Sequence, residues 1–541
     1  MLGATLFIIL FLAAAYGYQI YRDYCVPVSY TDRILGIPVV ENLDFLEGKR
    51  RLAAGQNPGV CFEQTLLPYT SDGTLYLAQD FRKPDWVGKL TADSRDAYLC
   101  MLPDEAWADK AGSIRENHVF QLYYVEENAY YPLKLVISGM PVMTLTTERE
   151  EEQDKGDSEV DPDHYYLDPD ILYYGKMQLF NPGVGVSRYE ITESGMRYYE
   201  RGVSSSVYPK KSYSLGLLDA RGENLDVSLL GMRSDNSWKL KAMVADDSRV
   251  REKSACEIWE SFAATNTEVN EEGPRMEYLE LIVDNDYKGL YGIVEPVDSK
   301  KLNLDKNDVL YKSTDWMIPE DEDIQYAIDV RWKIMSFLRI RYPDPIHDYE
   351  KAWSPVRDYL NTFYRNGGAG NPADKVYLSN AVDVLLFNMA VSGSDNFFKN
   401  MYFAADVSET GTYKMRQIPW DLDMTFGFVW REGFVDDETV VYREAAVPYL
   451  IQTQPELMQP LIRARWQQCR ETFLDTENIV SILLENENYL INAGVVQREN
   501  ERWPKYQMSV DLEEIMDYQE RRMLWLDEYF MEKIFDEEDA G

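Results

Sequence analysis

The first positions of the chain are apolar almost without a break. No charged residue falls between Leu2 and Tyr21, and the centre reads Leu6-Phe7-Ile8-Ile9-Leu10-Phe11-Leu12. Twenty such residues at a rise of ~1.5 Å cross a bilayer core of about 30 Å. A signal peptide would need a basic leading segment, which is missing, although Ala13-Ala14-Ala15 offers a small-residue cleavage site. The pattern predicts a membrane anchor over 1–24, with a cleaved leader or a buried core helix as alternatives. From 25 to 130 the chain turns to short strand-like runs broken by turns, such as Cys61-Phe62-Glu63-Gln64-Thr65-Leu66 and Val119-Phe120-Gln121-Leu122-Tyr123-Tyr124. This predicts a β-rich accessory domain.

A second β region, 131–300, opens on Leu133-Lys134-Leu135-Val136-Ile137. Within it, 208–217 alternates as a strand does, and 248–262 has helical spacing with Ser248 as N-cap and Ile258, Trp259 and Phe262 facing a core. Residues 276–283 and 290–294 flank Asp284-Asn285-Asp286-Tyr287-Lys288-Gly289, the form of a β-hairpin. Beyond about 325 the spacing becomes mainly helical. Gly367-Gly368-Ala369-Gly370-Asn371-Pro372 reads as a helix-breaking loop, and 373–391 as a buried helix. Strands first and helices second predict an α+β fold of two lobes, 131–300 rich in strands and 301–541 helical.

Composition changes this picture by what it removes. The 541 residues carry 55 Lys+Arg against 93 Asp+Glu, a formal charge of −38. That argues against a protein built to grip nucleic acid, because phosphate contacts need cations. Only His118, His164 and His347 occur, far apart and in no zinc-binding pattern. Five cysteines (Cys25, Cys61, Cys100, Cys256, Cys469) form no CxxC and are too few for a disulfide framework. Buried thiols are expected, with a Cys61–Cys100 bridge as the alternative. Between Glu148 and Asp170 lie eleven acids and two bases. Asp161-Pro162-Asp163 and Asp168-Pro169-Asp170 lack the ordered spacing of a calcium loop, so a solvated insertion is expected.

Two stretches carry candidate chemistry. Ser394-Asp395-Asn396-Phe397-Phe398-Lys399-Asn400 follows the predicted buried helix, and Pro419-Trp420-Asp421-Leu422-Asp423-Met424-Thr425-Phe426-Gly427 follows shortly after. With Gly411 in a turn between them, they predict one hairpin with acids at both ends. Acids and an amide among aromatic residues are expensive to bury unless paired or bound to a metal, and their oxygens suit Mg²⁺. The spacing Asp395 to Asn400 is that of the kinase catalytic loop, where the Asp takes a hydroxyl proton and the Asn holds metal. Its bland counterpart is an Asp capping a turn and an Asn satisfying backbone. Cations concentrate at Lys210, Lys211, Lys239, Lys241, Arg249, Arg251 and Lys253. Arg251 and Lys253 fall at a helix start, where positive charge calls for an offsetting anion. Lys239 and Lys241 read as ordinary solvated lysines on a strand.

Four blocks together resemble the CotH kinases, the spore-coat-type atypical protein kinases. They are Arg201-Gly202-Val203-Ser204-Ser205 with Pro209-Lys210-Lys211-Ser212-Tyr213; Trp238-Lys239-Leu240 through Asp247-Ser248 to Arg251-Glu252-Lys253; Tyr287-Lys288-Gly289-Leu290-Tyr291 with Glu295; and Asp395…Asn400 with Pro419-Trp420-Asp421-Leu422-Asp423…Gly427. The resemblance implies a reduced kinase-like fold that transfers the γ-phosphate of ATP to protein Ser or Thr with Mg²⁺ or Mn²⁺. It implies Asp395 as catalytic base, Asn400 with Asp421 or Asp423 as metal ligands, and Lys211, Arg251, Lys253 and Glu295 at the nucleotide. Two departures stand out. Asn285 replaces a family glycine, and Asn396-Phe397-Phe398 replaces a more polar pair after the catalytic Asp. The expected partners are a Lys/Arg-rich protein substrate and a membrane, with no nucleic acid. The expected location is a single-pass anchor with the catalytic part outside the cytoplasm. The rival readings are a glycosyltransferase using Asp421-Leu422-Asp423 to bind a nucleotide sugar, and a non-catalytic surface binding protein.

Overall fold

A computed structural model describes residues 33–52, 59–152, 171–202, 204–335 and 338–535. The predicted anchor over 1–24, Cys25, and the two Asp-Pro-Asp triplets lie outside the described residues. Among the described residues no helix is long and apolar enough to cross a membrane. The architecture is mixed α+β, as the pattern of periods predicts.

In the accessory region, strands Arg50–Arg51, Ala129–Ser138, Val119–Val125 and Tyr98–Met101 form one sheet, and Thr74–Ala78 pairs in parallel with Ala129–Ser138. Val60–Phe62 belongs to a separate three-stranded sheet. Cys61 lies in that smaller sheet and Cys100 in the larger, each a free buried thiol, so the alternative of a bridge between them fails. The accessory core (Leu75, Leu77, Phe120, Leu133, Leu135) continues without a break into Val142, Phe180, Ile282 and Tyr287 of the next unit.

That unit is a closed barrel of β1 (Val142–Glu152), β2 (Ile171–Asn181), β3 (Glu190–Arg201), β4 (Ser212–Leu218), β5 (Ser237–Lys241), β6 (Met276–Val283) and β7 (Asp286–Val294). Its order is β1-β2-β3-β4-β5-β7-β6, with β6 closing in parallel on β1. Period-two alternation sends Met196, Tyr198, Leu215, Trp238, Leu240 and Tyr291 into one core. The β6–β7 connection is tighter than expected: only Asp284 and Asn285 lie between the strands, at φ +50° and +62°. Both are left-handed, as a two-residue turn matched to strand twist requires, and Asp and Asn tolerate that region. Helix α1 (Arg251–Thr265) crosses between β5 and β6. It begins three residues after the expected Ser248 because Arg249 sits at φ +62°, which no helix admits. Ser248 still serves the start, its Oγ accepting from Val250 N (3.3 Å).

The region beyond 301 is less purely helical than its spacing suggests. A five-stranded sheet, β9-β10-β8-β11-β12, is built from β8 (Val309–Ser313), β9 (Ile334–Met335), β10 (Leu338–Tyr342), β11 (Met401–Val407) and β12 (Tyr413–Pro419). Around it pack α2 (Asp321–Val330), α3 (Tyr349–Phe363), α4 (Leu378–Ala390), α5 (Ala446–Thr453), α6 (Pro455–Arg470), α7 (Thr476–Asn492), α8 (Val495–Arg502) and α9 (Glu513–Met531). The predicted buried helix is α4, nearly every residue of which is buried.

The last helices return to the barrel. Glu499 of α8 accepts from Lys210 Nζ (2.6 Å) and from Leu290 N (2.9 Å), while Arg498 Nε donates to Glu280 (2.8 Å). Gly289, at φ +91°, is required there because a Cβ would collide with the Glu499 carboxylate.

Candidate active site

The two acid-bearing stretches form one hairpin, as their spacing predicts. Strands β11 and β12 pair from Met401↔Pro419 to Val407↔Tyr413, with Gly411 in the turn at φ +85°. This register brings the 391–400 and 419–427 loops together at the same end. Several bonds then pin them: Trp420 N to Asn400 O (2.9 Å), Ser394 N to Met424 O (3.1 Å) and Phe426 N to Val391 O (2.6 Å). The buried Asn396 amide donates to both Asn400 O (3.2 Å) and Trp420 O (2.8 Å). Asn396 therefore replaces a polar side chain with a staple between the loops, and Phe398 packs against Tyr364 and Phe403. Asn400, Asp421 and Phe426 all have positive φ (56°, 60° and 51°). Non-glycine residues held in that region concentrate where surrounding structure must aim a side chain.

Asp395 and Asn400 are both buried, and Asn400 Nδ2 donates to Asp395 Oδ2 at 2.8 Å. Lys399 Nζ lies 2.8 Å from the same oxygen and 3.9 Å from the Trp316 ring centroid. Burial raises the Asp395 carboxyl above its ordinary range. The Lys399 ammonium pulls it back down, and the Asp421 and Asp315 charges add to the rise.

From the barrel side, Lys241 at the end of β5 bridges two carboxylates, Glu252 of α1 and Asp421, beneath the face of Trp420 (5.1 Å). Glu252 also accepts from the backbone N–H of Leu422. The expectation that Lys241 is an ordinary solvated lysine is thus overturned. Period two places Lys239 and Lys241 opposite the barrel-filling Trp238 and Leu240, and Lys241 meets Trp420 and Asp421 on that outer side. Burial opposes charge on Asp421, but Lys241, Arg201 and Lys312 more than offset it and hold its carboxyl well below the usual range. Asp423 is the contrary case. Burial and the carboxylates of Asp421, Glu252 and Asp395 push it well above that range, and it makes no ion pair among the described residues.

The remaining expected site residues are placed elsewhere. Lys210 is sealed in the pair with Glu499. Lys211 donates to Ser206 O (2.7 Å) within the β3–β4 connection. Arg251 is held by Asp246, Asp247 and Ser248. Lys253 is held by Glu257 (2.7 Å), Glu277 (3.3 Å) and Met276 O (3.0 Å). The helix start does have its offsetting anions, and they are the protein's own carboxylates. Glu295 accepts from Arg233 N (2.7 Å) and pairs with Lys301. It borders a cavity of about 730 Å³ that Asp395, Asn400, Asp421 and Asp423 do not line.

A family model, CotH kinase protein, matches residues 199–526. The chain belongs to the CotH kinase family. That span holds the four sequence blocks, the hairpin, Lys241 and Glu252, so membership makes this a kinase-like protein. No curated protein matches the chain.

The donors fit the divalent metal that kinase chemistry uses. Among the described residues no three His, Cys, Asp or Glu side chains converge as a closed metal site. Two carboxylates and an amide are what Mg²⁺ takes from a protein when phosphate oxygens and water supply the rest. The crowding of Asp423 by three other carboxylates favours a cation there. Asn400 spends its Nδ2 on Asp395, leaving Oδ1 as the atom to offer.

Proposed function

We propose that this protein transfers the γ-phosphate of ATP to a Ser or Thr hydroxyl of a protein. The observation that carries this reading is the set Glu252–Lys241–Asp421 beside Asp395–Asn400. Protein kinases likewise pair a strand lysine with a glutamate on the next helix, beside a metal-binding aspartate and a catalytic-loop Asp and Asn. Here the strand is β5 of the barrel and the helix is α1, and the acids lie in the loops at one end of the β11–β12 hairpin.

A divalent cation held by Asp423, Asp421 and Asn400 would neutralise charge on the phosphoryl group. Asp395 accepts the proton of the acceptor hydroxyl, and Asn400 and Lys399 fix the orientation of its carboxylate. Lys241, held by Glu252, presents its ammonium to the donor's phosphates. Most of the rate gain then comes from positioning and charge, as phosphoryl transfer requires.

The test is transfer of radiolabel from γ-labelled ATP with Mn²⁺ or Mg²⁺, using the full chain beside Asp395→Ala and Asp423→Ala. Loss of the base lowers kcat by about 10²–10⁴-fold. Equal labelling by all three proteins would sink the mechanism. We also propose a Lys/Arg-rich protein substrate, suited to the −38 charge, and membrane attachment through the apolar segment at 2–21. Attraction to a basic peptide weakens with salt, so kcat/KM for basic peptides should fall with ionic strength while that for acidic ones does not. Identical salt responses refute the substrate preference.

A further inference from the structure

Of the twelve tryptophans, all within the described residues, Trp316 alone is exposed, at 49%, and its neighbour Met317 is 53% exposed. Both lie in 314–319, the link from β8 to α2. The register of β8 on β11 brings that link to the 391–400 loop, because Ser313, the last residue of β8, pairs with Met401, the residue after Asn400. There the Lys399 ammonium lies over the Trp316 ring, 3.9 Å from its centroid, and 2.8 Å from Asp395 Oδ2. One ammonium separates an exposed indole from the proposed base. Asn400 Nδ2 engages the same oxygen, which leaves Asp395 Oδ1 for an acceptor hydroxyl.

The link is fixed on both sides of the exposed pair. Ser313 Oγ donates to Asp315 O (3.1 Å), and Met317 N donates to Asp315 Oδ1 (3.0 Å). Ile318 packs on the main core, Pro319 is buried, and Arg365 holds Pro319 O and the Glu320 carboxylate (3.0 Å). A single exposed apolar residue needs no explanation. Two adjacent ones, pinned at either end beside a charged catalytic group, make a pre-organised surface, which lowers the cost of docking a flexible segment. Trp is among the side chains enriched where interfaces carry their binding energy.

We propose that Trp316 and Met317 seat a large apolar or aromatic side chain of the acceptor protein, one or two residues from the Ser or Thr that receives phosphate. The assignment rests on the reading of Asp395 as base. An extended chain advances ~3.3 Å per residue, so a side chain that close to the acceptor hydroxyl reaches past Lys399 to the ring. Charge decides the class of side chain. Lys399 already engages the indole, and a second cation on that ring would meet its repulsion. An apolar side chain meets none, and it gains from both the ring and the Met317 thioether. An acceptor that is basic overall then carries an apolar residue at this one place.

Peptides with one Ser, identical except for Phe, Gly or Arg at each position within two residues of it, test the seat. Fluorescence anisotropy of the labelled peptides with the full chain, without ATP, reads binding apart from transfer. The Phe peptide at its best position is expected to bind about tenfold more tightly than the Gly peptide, as burial of one aromatic side chain implies. The Arg peptide should bind no more tightly than the Gly peptide. In Trp316→Ala/Met317→Ala the preference for Phe should fall to within about twofold at an unchanged melting temperature. With ATP, Met317→Ala, which keeps the ring under Lys399, should raise KM for the Phe peptide and not for the Gly peptide. A preference that persists in the double variant, an Arg peptide that binds as tightly as the Phe peptide, or no peptide bound by the unaltered chain overturns the proposal. A Trp316-dependent preference among peptides that take no label supports the apolar seat and refutes the transfer reading instead.

Discussion

Asp395 shows how much a single residue's surroundings decide. It is 7% exposed, it accepts from Asn400, and Lys399 offsets the carboxylates near it. In its proposed role as catalytic base Asp395 must be ionised, so activity should fall on the acid side as it gains a proton. Its raised pKa moves that fall upward in pH from where a free aspartate would place it. Removing the ammonium in Lys399→Ala takes away a lowering influence, so the acid limb of kcat/KM should move to still higher pH, with the neutral plateau nearly kept. A limb that stays put or moves to lower pH would show that Lys399 does not tune this carboxylate. Asp395, Asn400, Asp421 and Asp423 were legible in sequence because acids and an amide among Phe and Trp need a reason to be there. Lys241 was not, since its partners lie 11 and 180 positions away, and along the strand it alternates like any solvent-facing lysine.

Among elements, β5 and α1 are joined to the hairpin loop through one ammonium. Lys241 meets Glu252 on one side and Asp421 on the other, with Lys241 and Glu252 almost wholly buried. Groups acting as a unit do not contribute additively. Lys241→Met and Glu252→Gln should each lower kcat/KM, and the double variant should fall little below the worse single one, with a coupling of roughly 0.5–3 kcal/mol. Additive losses in that cycle would mean that the helix and the strand act independently. The elements themselves were largely legible. The β6–β7 and β11–β12 hairpins and the buried α4 follow from alternation, turn residues and apolar run length. The five-stranded sheet was missed because β8, β9 and β10 are short and scattered among helices, so no window holds enough of the period. The late start of α1 was missed because a left-handed Arg249 has no composition signal.

At the scale of the whole molecule, Arg498 joins three regions. It donates to Glu280 of the barrel (2.8 Å), to Asn117 Oδ1 of the accessory region (2.8 Å) and to Ala493 O beside its own helix (3.2 Å). The pair is almost fully buried, at 4% and 0% side-chain exposure. Removing one partner of a buried pair strands the other's charge, so Arg498→Ala should destabilise the protein by about 3–5 kcal/mol. Urea unfolding would measure it. A midpoint unchanged from the parent would mean that the joint carries no stability. None of this was legible from sequence, because Glu280 and Arg498 are 218 residues apart and each looks like an ordinary surface charge in its own segment.

Lys210 and Glu499 carry one more consequence, for the order in which the chain is made. Synthesis delivers the barrel strands long before α8, so Lys210 at the mouth of β4 awaits a partner 289 residues downstream. Until Glu499 emerges, the lysine that the finished barrel seals from water has no counter-charge, and the Leu290 N–H lacks its acceptor. A chain stopped short of α8 would hold every barrel residue and still leave Lys210 without its counter-charge and the Leu290 N–H without its acceptor.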